Sequence, residues 1–330
     1  MKILVIQKKF MGDVLVTSSL FPLLRQKYPN SELHFFLDKK FSDIVLNHPD
    51  IDRLIFFEKD LVGNIHKIKR EKYDVIVDVY SKIGTALISF FSGAGITSGY
   101  YKPYLSLFYS APVKRHLKPE SQMALCLENR VQLLEALDIP LADVHPKIYL
   151  TKTEIEDAEN LFRKYGLCKD KKILMVSTFG STPEKSYPYM KDIIDRVSKN
   201  TDCQIICNYI PSQKDLFQNL YISLSEASKK AIIKDFATEN LRSFAASVSL
   251  CDALLGNEGG ATNVSKALHI PTFGIFSPVV DSSSWKWAED GVRYDSADVH
   301  DYIKGNPTYE DFRPEYFEDQ LDRFIQKHLL

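Results

Sequence analysis

"MKILVIQKKFMGDVLVTSSL" (Met1–Leu20) decides the fold. Its apolar run, KILVI, shows no alternation and reads as a strand buried on both faces, the mark of a parallel sheet. A helix-like run follows, and the connection holds Lys8, Lys9, Gly12 and Asp13. The first turn of an α/β protein usually cradles a phosphate in a glycine-rich loop. An acid in that place repels phosphate. Gly12 permits a tight turn, and Asp13 falls at the start of the helix. Two compatible readings of Asp13 stand side by side. It caps the helix, or it faces the crevice at the carboxyl end of the strand, where a carboxylate suits a general base that takes a proton from a hydroxyl.

Outward from this stretch, strand and helix signals alternate. "KILVIQ", "ELHFFL", "RLIFF", "YDVIVDV", "KILMVS", "CQIICNYI", "AIIKDF", "DALLGN" and "PTFGIF" read as buried strands. "VTSSLFPLLRQKY", "ENRVQLLEALDI", "KTEIEDAENLFRKYG", "YMKDIIDRVSKN", "LRSFAASVSLC" and "GATNVSKALH" read as helices between them. The alternation predicts an α/β fold of parallel sheets covered by helices. The series restarts after "LDIPLADVHPKIYL", where "KKILMVSTFG" resembles a second first strand. The expected organisation is two Rossmann-like domains, 1–150 and 151–330, with a cleft between their parallel sheets and "YFEDQLDRFIQKHLL" as a closing amphipathic helix.

Composition narrows the class. Lys and Arg number 42 against 43 Asp and Glu, so no basic excess points to nucleic acid. No stretch approaches the roughly 18 apolar residues of a membrane span, and no signal sequence precedes Gln7, so the cytoplasm is expected. The five cysteines are scattered, and Cys203 and Cys207 lie in a strand-like run, so buried thiols are expected rather than a zinc site.

Several motifs fail on context. "GAGITSG" (Gly93–Gly99) has the letters of a dinucleotide loop but follows a helical run. "GSTPEKS" (Gly180–Ser186) lacks the second glycine of a P-loop. "DID" (Asp50–Asp52) reads as a solvated turn before a strand rather than a metal chelate.

Two further stretches join the Asp13 turn. In "STFGSTPEKSYP" (Ser177–Pro188), small residues expose backbone N–H groups and Lys185 adds a cation, an anion-binding composition; the plainer reading is a surface loop with a solvated lysine. In "LLGNEGGATNVSKALHIP" (Leu254–Pro271), a strand ends, and Gly259 and Gly260 bring the backbone close to a ligand. Ala261, Thr262 and Asn263 then open a helix whose first N–H groups attract a diphosphate. Glu258 has the wrong charge for phosphate and the right chemistry for sugar hydroxyls. A Gly-Gly pair that merely ends the strand does not explain the acid beside it.

Together, "MKILVIQKKFMGDVLVTSSLFPLLRQKYPNSELHFFL", "HPDIDRLI", "EKSYP" and "LLGNEGGATNVSKALHIPTFGIFSP" resemble glycosyltransferase family nine, the ADP-heptose:lipopolysaccharide heptosyltransferases, in order and over nearly the whole chain. The resemblance implies a GT-B fold, metal-independent inverting transfer, an acceptor-binding first domain and a nucleotide-sugar donor held by the second. It implies Asp13 as catalytic base, Lys185 on the donor phosphates, Glu258 on the donor sugar, and Gly259, Gly260, Ala261 and Thr262 as the diphosphate turn. Lys8, Lys9 and Gly12 fall on the acceptor side. No metal and no cofactor beyond the donor, ADP-heptose, are implied. The chain departs from the family pattern at Gln7 (commonly basic), Tyr187 (usually tryptophan), Glu258 (commonly aspartate) and Asn263 (frequently histidine). These departures bear on the donor sugar more than on the reaction type.

The expected activity is therefore sugar transfer to a lipopolysaccharide core or related surface glycan. Two other classes use the same donor: an epimerase or hydrolase that needs no acceptor, and a non-catalytic donor-binding protein. The segment Ser98–Glu120, with Lys102, Lys114, Arg115, His116 and Lys118 among aromatic residues, fits either a phosphorylated glycolipid or the cytoplasmic face of the inner membrane; the alternative is a loop packed on its own domain.

Overall fold

A computed structural model describes residues 1–168 and 170–330. The chain divides into two compact units. The first comprises Met1–Tyr149 with the short segment Ser283–Trp287, and the second Leu150–Ser282 with Ala288–Leu330.

In the first unit the strands are β1 (Lys2–Ile6), β2 (Glu32–Leu37), β3 (Arg53–Phe56), β4 (Val75–Asp78), β5 (Ile96–Tyr100) and β6 (Ala111–Val113). They form one sheet in the order β3-β2-β1-β4-β5-β6, parallel throughout. Helices α1 (Met11–Ser18), α2 (Leu20–Lys27), α3 (Leu61–Glu71), α4 (Ile83–Phe91) and α5 (Leu125–Gln132) connect and cover it. Ile3, Leu4, Val5 and Ile6 are fully buried, as a strand covered on both faces requires.

The second unit carries α6 (Lys152–Lys164), β7 (Ile173–Ser177), α7 (Met190–Asn200), β8 (Gln204–Asn208), α8 (Lys214–Ser223), α9 (Glu226–Ala231), α10 (Leu241–Ser249), β9 (Ala253–Asn257), α11 (Gly260–Ala267), β10 (Thr272–Phe276), β11 (Tyr294–Asp298), α12 (Val299–Tyr302) and α13 (Glu318–Leu329). Its sheet runs β11-β10-β9-β7-β8, again parallel. The terminal helix α13 buries Leu321, Phe324, Ile325 and Leu329 in this unit's core. Arg196 on α7 pins it through Asp322 (2.6 Å) and Glu318 (3.0 Å).

The α/β class with two Rossmann-like parallel sheets is the one expected; single elements differ. "AIIKDF" is not a strand: Ile232 makes one isolated bridge to Ile205 at the end of α9. Ser225 caps α9, and Asp195 accepts from the Ser225 amide and the Ser228 hydroxyl, so local capping outweighs the apolar run. "ENRVQLLEALDI" breaks after Gln132 into a 3-10 turn, Glu135–Leu137, ended by Asp138 at φ 53°. Strands β5, β6 and β11 were not anticipated, because Thr97, Ser98, Gly99, Asp295 and Ser296 lack the apolar signature. Among the described residues, no helix is long and apolar enough to cross a membrane.

Candidate active site

Each sheet has one place where chain order reverses, and the crevice outside the carboxyl ends of those strands is where open α/β sheets bind ligands. In the first unit the reversal lies between β1 and β4; in the second it lies between β7 and β9. Three of the stretches singled out in the sequence leave from these four strand ends.

After β1 comes the Asp13 turn. Gly12 does not make the tight turn expected of it, because residues 7–10 make the connection and Gly12 is already helical. Asp13 is not the helix cap either. Phe10 holds that position without a side-chain cap, and Asp13 sits within the first turn. Its Oδ1 instead accepts a hydrogen bond from Nη2 of Arg130 on α5, at 2.6 Å. Arg130 also donates through Nε to Thr17 Oγ1 (3.1 Å) and through Nη1 to the Cys126 carbonyl (2.6 Å). Burial works against the guanidinium charge, and Asp13 more than restores it, so Arg130 is pushed above its usual value. The pair is asymmetric: the arginine side chain is 9% exposed and the aspartate 29%. A buried cation thus aims a half-buried carboxylate, leaving one carboxylate edge to solvent. Gln7, where the family commonly has a base, donates to the Lys9 carbonyl at 2.5 Å and shapes the turn.

Asp78 ends β4 beside this turn and is fully buried. Burial pushes its carboxyl up to about 6, opposed by hydrogen bonds from the Tyr109 hydroxyl (2.6 Å) and the Ser81 amide (2.9 Å). It holds the connection after β4 in shape, helped by Lys102 Nζ on the Ser81 carbonyl (2.7 Å).

In the second unit, the loop after β7 folds back on itself. At Gly180 a Cβ would strike the Lys185 carbonyl, so only glycine permits the approach. The Gly180 amide donates to Ser186 Oγ (3.0 Å), and Pro183–Lys185 form a 3-10 turn that leaves Lys185 half-buried. After β9, Gly259 caps α11 at φ 154°, ψ −148°, a conformation essentially reserved for glycine. Thr262 Oγ1 exchanges hydrogen bonds with the Gly259 amide (3.0 Å) and carbonyl (2.9 Å), and Asn263 Nδ2 donates to the same carbonyl (2.8 Å). The Thr262 side chain is therefore spent on the cap. The backbone N–H groups of Gly260, Ala261 and Thr262 are the ones a helix start leaves for an anion.

One residue that sequence reasoning missed binds these loops together. Asn257 is buried at the end of β9. Its Oδ1 accepts from the Tyr187 amide (2.6 Å), and its Nδ2 donates to the carbonyls of Ser177 and Thr178 (both 2.9 Å). Ser277 adds a bond from β10's end to the Glu184 carbonyl (2.8 Å). Tyr187, in place of the family's tryptophan, sends its hydroxyl to the Phe312 carbonyl at 2.7 Å.

Glu258 stands between the two loops in sequence and chemistry. Burial raises its pKa, opposed by the nearby charges of Lys266 and Lys185 and by a hydrogen bond from Asn263. Lys266, on α11, is itself buried and paired with Glu289 at 3.2 Å. A cavity of about 330 Å³ opens at the end of β8, lined by Asn208, Tyr209, Asp235, Phe236 and Phe244 among others. Its wall is tied to the lysine loop, since Gln213 Nε2 donates to the Gly180 carbonyl (2.9 Å). No single sequence motif marks this cavity.

The remaining candidates have structural work. In "DID", Asp52 accepts from the Leu33 amide (2.7 Å) and Arg25 (2.8 Å), bracing a turn. Cys203 and Cys207 are buried and unpaired. Arg115 lies 3.7 Å from the Tyr100 ring centre, and His116 is held by Glu128 (2.6 Å) and Gln132 (2.6 Å). Leu107 and Leu117 of the same segment are 87% and 90% exposed.

The chain is similar to known proteins over most of its length. The profile of Glycosyltransferase family 9 (heptosyltransferase) matches residues 64–289, a span that holds Lys185 and Glu258–Thr262 and begins after Asp13. Lipopolysaccharide heptosyltransferase 1 of Campylobacter coli is 24% identical over 307 residues, covering 84% of each chain. Among solved structures, a family 9 glycosyl transferase from Veillonella parvula superposes with a TM-score of 0.79 at 16% identity, covering 98% of this chain and 97% of the other. The ADP-heptose lps heptosyltransferase II of E. coli superposes at 0.74, also at 16% identity, with 99% of each chain covered.

Proposed function

The chain belongs to glycosyltransferase family 9, and from that premise we propose that it moves heptose from ADP-heptose to a lipopolysaccharide core or related surface glycan, inverting the anomeric centre without a metal. The observation that carries the donor half is the joining, through Asn257, of the Lys185 loop to the glycine-opened start of α11. That pairing offers a cation and a row of backbone N–H groups to one diphosphate. The cavity walled in part by Pro211 and Lys214 suits the nucleoside, and Glu258 the sugar hydroxyls.

Chemistry follows from charge. The acceptor hydroxyl gives its proton to Asp13 as its oxygen attacks the anomeric carbon. The bond from that carbon to the diphosphate oxygen breaks with its electron pair, and ADP leaves. Lys185 and the α11 amides take up the charge gathering on the leaving oxygen, the role a metal plays in other transferases. Arg130 keeps Asp13 fixed against the turn. The similarity to the ADP-heptose lps heptosyltransferase II of E. coli supports ADP-heptose as the donor. Peripheral contact with the cytoplasmic face of the inner membrane would follow from a lipid-linked acceptor.

Product analysis tests the reading. Incubation with ADP-heptose and a heptose-accepting core saccharide should give one elongated saccharide and ADP, unaffected by EDTA. Sugar release or epimerised donor without an acceptor would replace the transferase with a hydrolase or epimerase. Binding without turnover would leave a donor-binding protein.

A further inference from the structure

A helix that covers a sheet normally turns charged side chains to solvent. Helix α3 does so with His66, Lys69 and Arg70. Helix α4, packed beside it, does not. Its sequence, "IGTALISFF", holds no charged residue, and the exposed positions are Ile83, Phe90 and Phe91. With half-buried Leu87 they follow helical spacing and share one outer stripe. The 3-10 turn Ser106–Phe108 widens this face. Leu105 and Tyr109 anchor it on buried Ala86, and the Phe108 ring meets Phe90 at 5.6 Å. Phe90 in turn meets Phe91 at 5.1 Å, while Tyr104 and Leu107 stay exposed. Among the described residues, seven of the 21 exposed large apolar side chains fall between Asp78 and Glu120, an eighth of the chain.

Charge says what covers the face. Between Asp78 and Glu120 run 41 residues without one acid, in a chain with 43 acids among 330 residues. The same stretch carries Lys82, Lys102, Lys114, Arg115 and Lys118. These cations gather at one end of the apolar stripe. Lys82 precedes the first turn of α4, and Lys102 is bound to the Ser81 carbonyl at 2.7 Å. Lys114 lies over the Tyr101 ring at 5.5 Å, and with Lys118 it follows β6 at the same carboxyl edge of the sheet. A second copy meeting this face by two-fold symmetry would set those cations against their own counterparts. A bilayer has the complementary character. Its anionic headgroups attract lysines at the rim, and its fluid boundary takes protruding aromatic and aliphatic side chains without a fitted pocket.

We infer that the outer face of α4 and the Ser106–Phe108 turn rests on a bilayer bearing anionic headgroups. Phe91 and Leu107 enter its apolar boundary, and Lys114 and Lys118 meet the lipid phosphates. The face stands on these side chains alone; its use, bringing a lipid-linked acceptor to the Asp13 turn, rests on the transferase reading above. The cationic end is the sheet edge from which the Asp13 turn also leaves, so docking by this face keeps that turn on the headgroup side.

Co-sedimentation of the full chain with vesicles tests this. Vesicles of phosphatidylcholine mixed with phosphatidylglycerol should carry the chain down, and phosphatidylcholine alone should leave it in solution. Phe91→Gln/Leu107→Gln should lose roughly tenfold or more in vesicle affinity, and Lys114→Gln/Lys118→Gln about fivefold for each lysine. All four side chains are exposed or at the surface, so melting temperature should hold, as should transfer to a water-soluble core saccharide. No vesicle binding, equal binding to neutral vesicles, or undiminished binding by the Phe91/Leu107 variant would each overturn the inference. So would self-association that this variant abolishes in a chain that ignores vesicles, since the face would then belong to a second copy. Vesicle binding by a chain that elongates no saccharide would keep the face and sink the transferase reading.

Discussion

The turn after β1 and the turn after β9 both leave strands that flank the reversal point of their sheets, and each contains an acid. They treat it in opposite ways. Asp13 sits against a nearly buried arginine at 2.6 Å and keeps a solvent-facing edge. Glu258 is raised by burial, and its cations, Lys266 and Lys185, are engaged with Glu289 or held in the lysine loop. One acid is aimed and the other sheltered. A proton acceptor needs a fixed lone pair open to substrate, whereas a sugar-binding acid profits from a dry site where its hydrogen bonds strengthen. Glycine follows the same division: the β9 turn requires it at Gly259, and the β1 turn makes its bend without it.

The largest expected effect falls on Asp13. Asp13→Asn removes the proposed proton acceptor and keeps the size, so turnover should drop by roughly 10²–10⁴-fold while ADP affinity holds. Steady-state transfer beside calorimetry reads both; near wild-type turnover would erase the contrast between the two acids. Arg130→Met comes next. It leaves Asp13 and Thr17 without their partner, which should cost about 2–3 kcal/mol of stability, below the ~3–5 kcal/mol of a fully buried pair because Asp13 is partly exposed. Urea midpoints measure this, and turnover should fall with it; a stable variant with normal turnover would mean that the arginine aims nothing.

Lys185→Ala should weaken ADP binding by about 1.5–3 kcal/mol, the value of a hydrogen bond to a charged group, with Asp13 chemistry otherwise intact. Calorimetry with ADP against adenosine sharpens the point, since adenosine affinity should not change.

The smallest effect is a slope. Asp78 is raised to about 6 from an ordinary 3.8, so between these values the folded chain binds a proton that the unfolded chain has lost. Its contribution makes stability fall as pH rises through that window, by at most about 1.4 kcal/mol per pH unit. Glu128, against the cost of burial, is lowered to about 2 by hydrogen bonds from Ser121, Glu120 and His116, and acts with the other sign. Its stabilisation is present above 4.5 and is lost as pH falls towards 2. Asp78→Asn should flatten the first slope and Glu128→Gln the second; denaturation curves that keep their pH dependence in both variants would rule out these carboxyls as its source.

Legibility divided along the same lines as physics. Strands covered on both faces write themselves as apolar runs, so β1, β2, β4, β7 and β9 could be read directly. Strands β5 and β11 carry Thr, Ser, Gly and Asp, with Thr97 accepting from the Ser110 amide and Ser296 donating to Glu289, so no apolar run appears. The Lys185 loop and the start of α11 are local and show in a dozen residues. Arg130 is 117 positions from Asp13, and Asn257 is 70 from Tyr187, so no window contains the pair.

Asn257 has a consequence for motion. With one amide it closes a ring of bonds through Ser177, Thr178 and Tyr187, and neither loop can swing away without stripping the other of a buried partner. With the donor held as proposed, its entry and product escape would be all-or-none events, both loops opening in a single step whose barrier is set by a neutral amide.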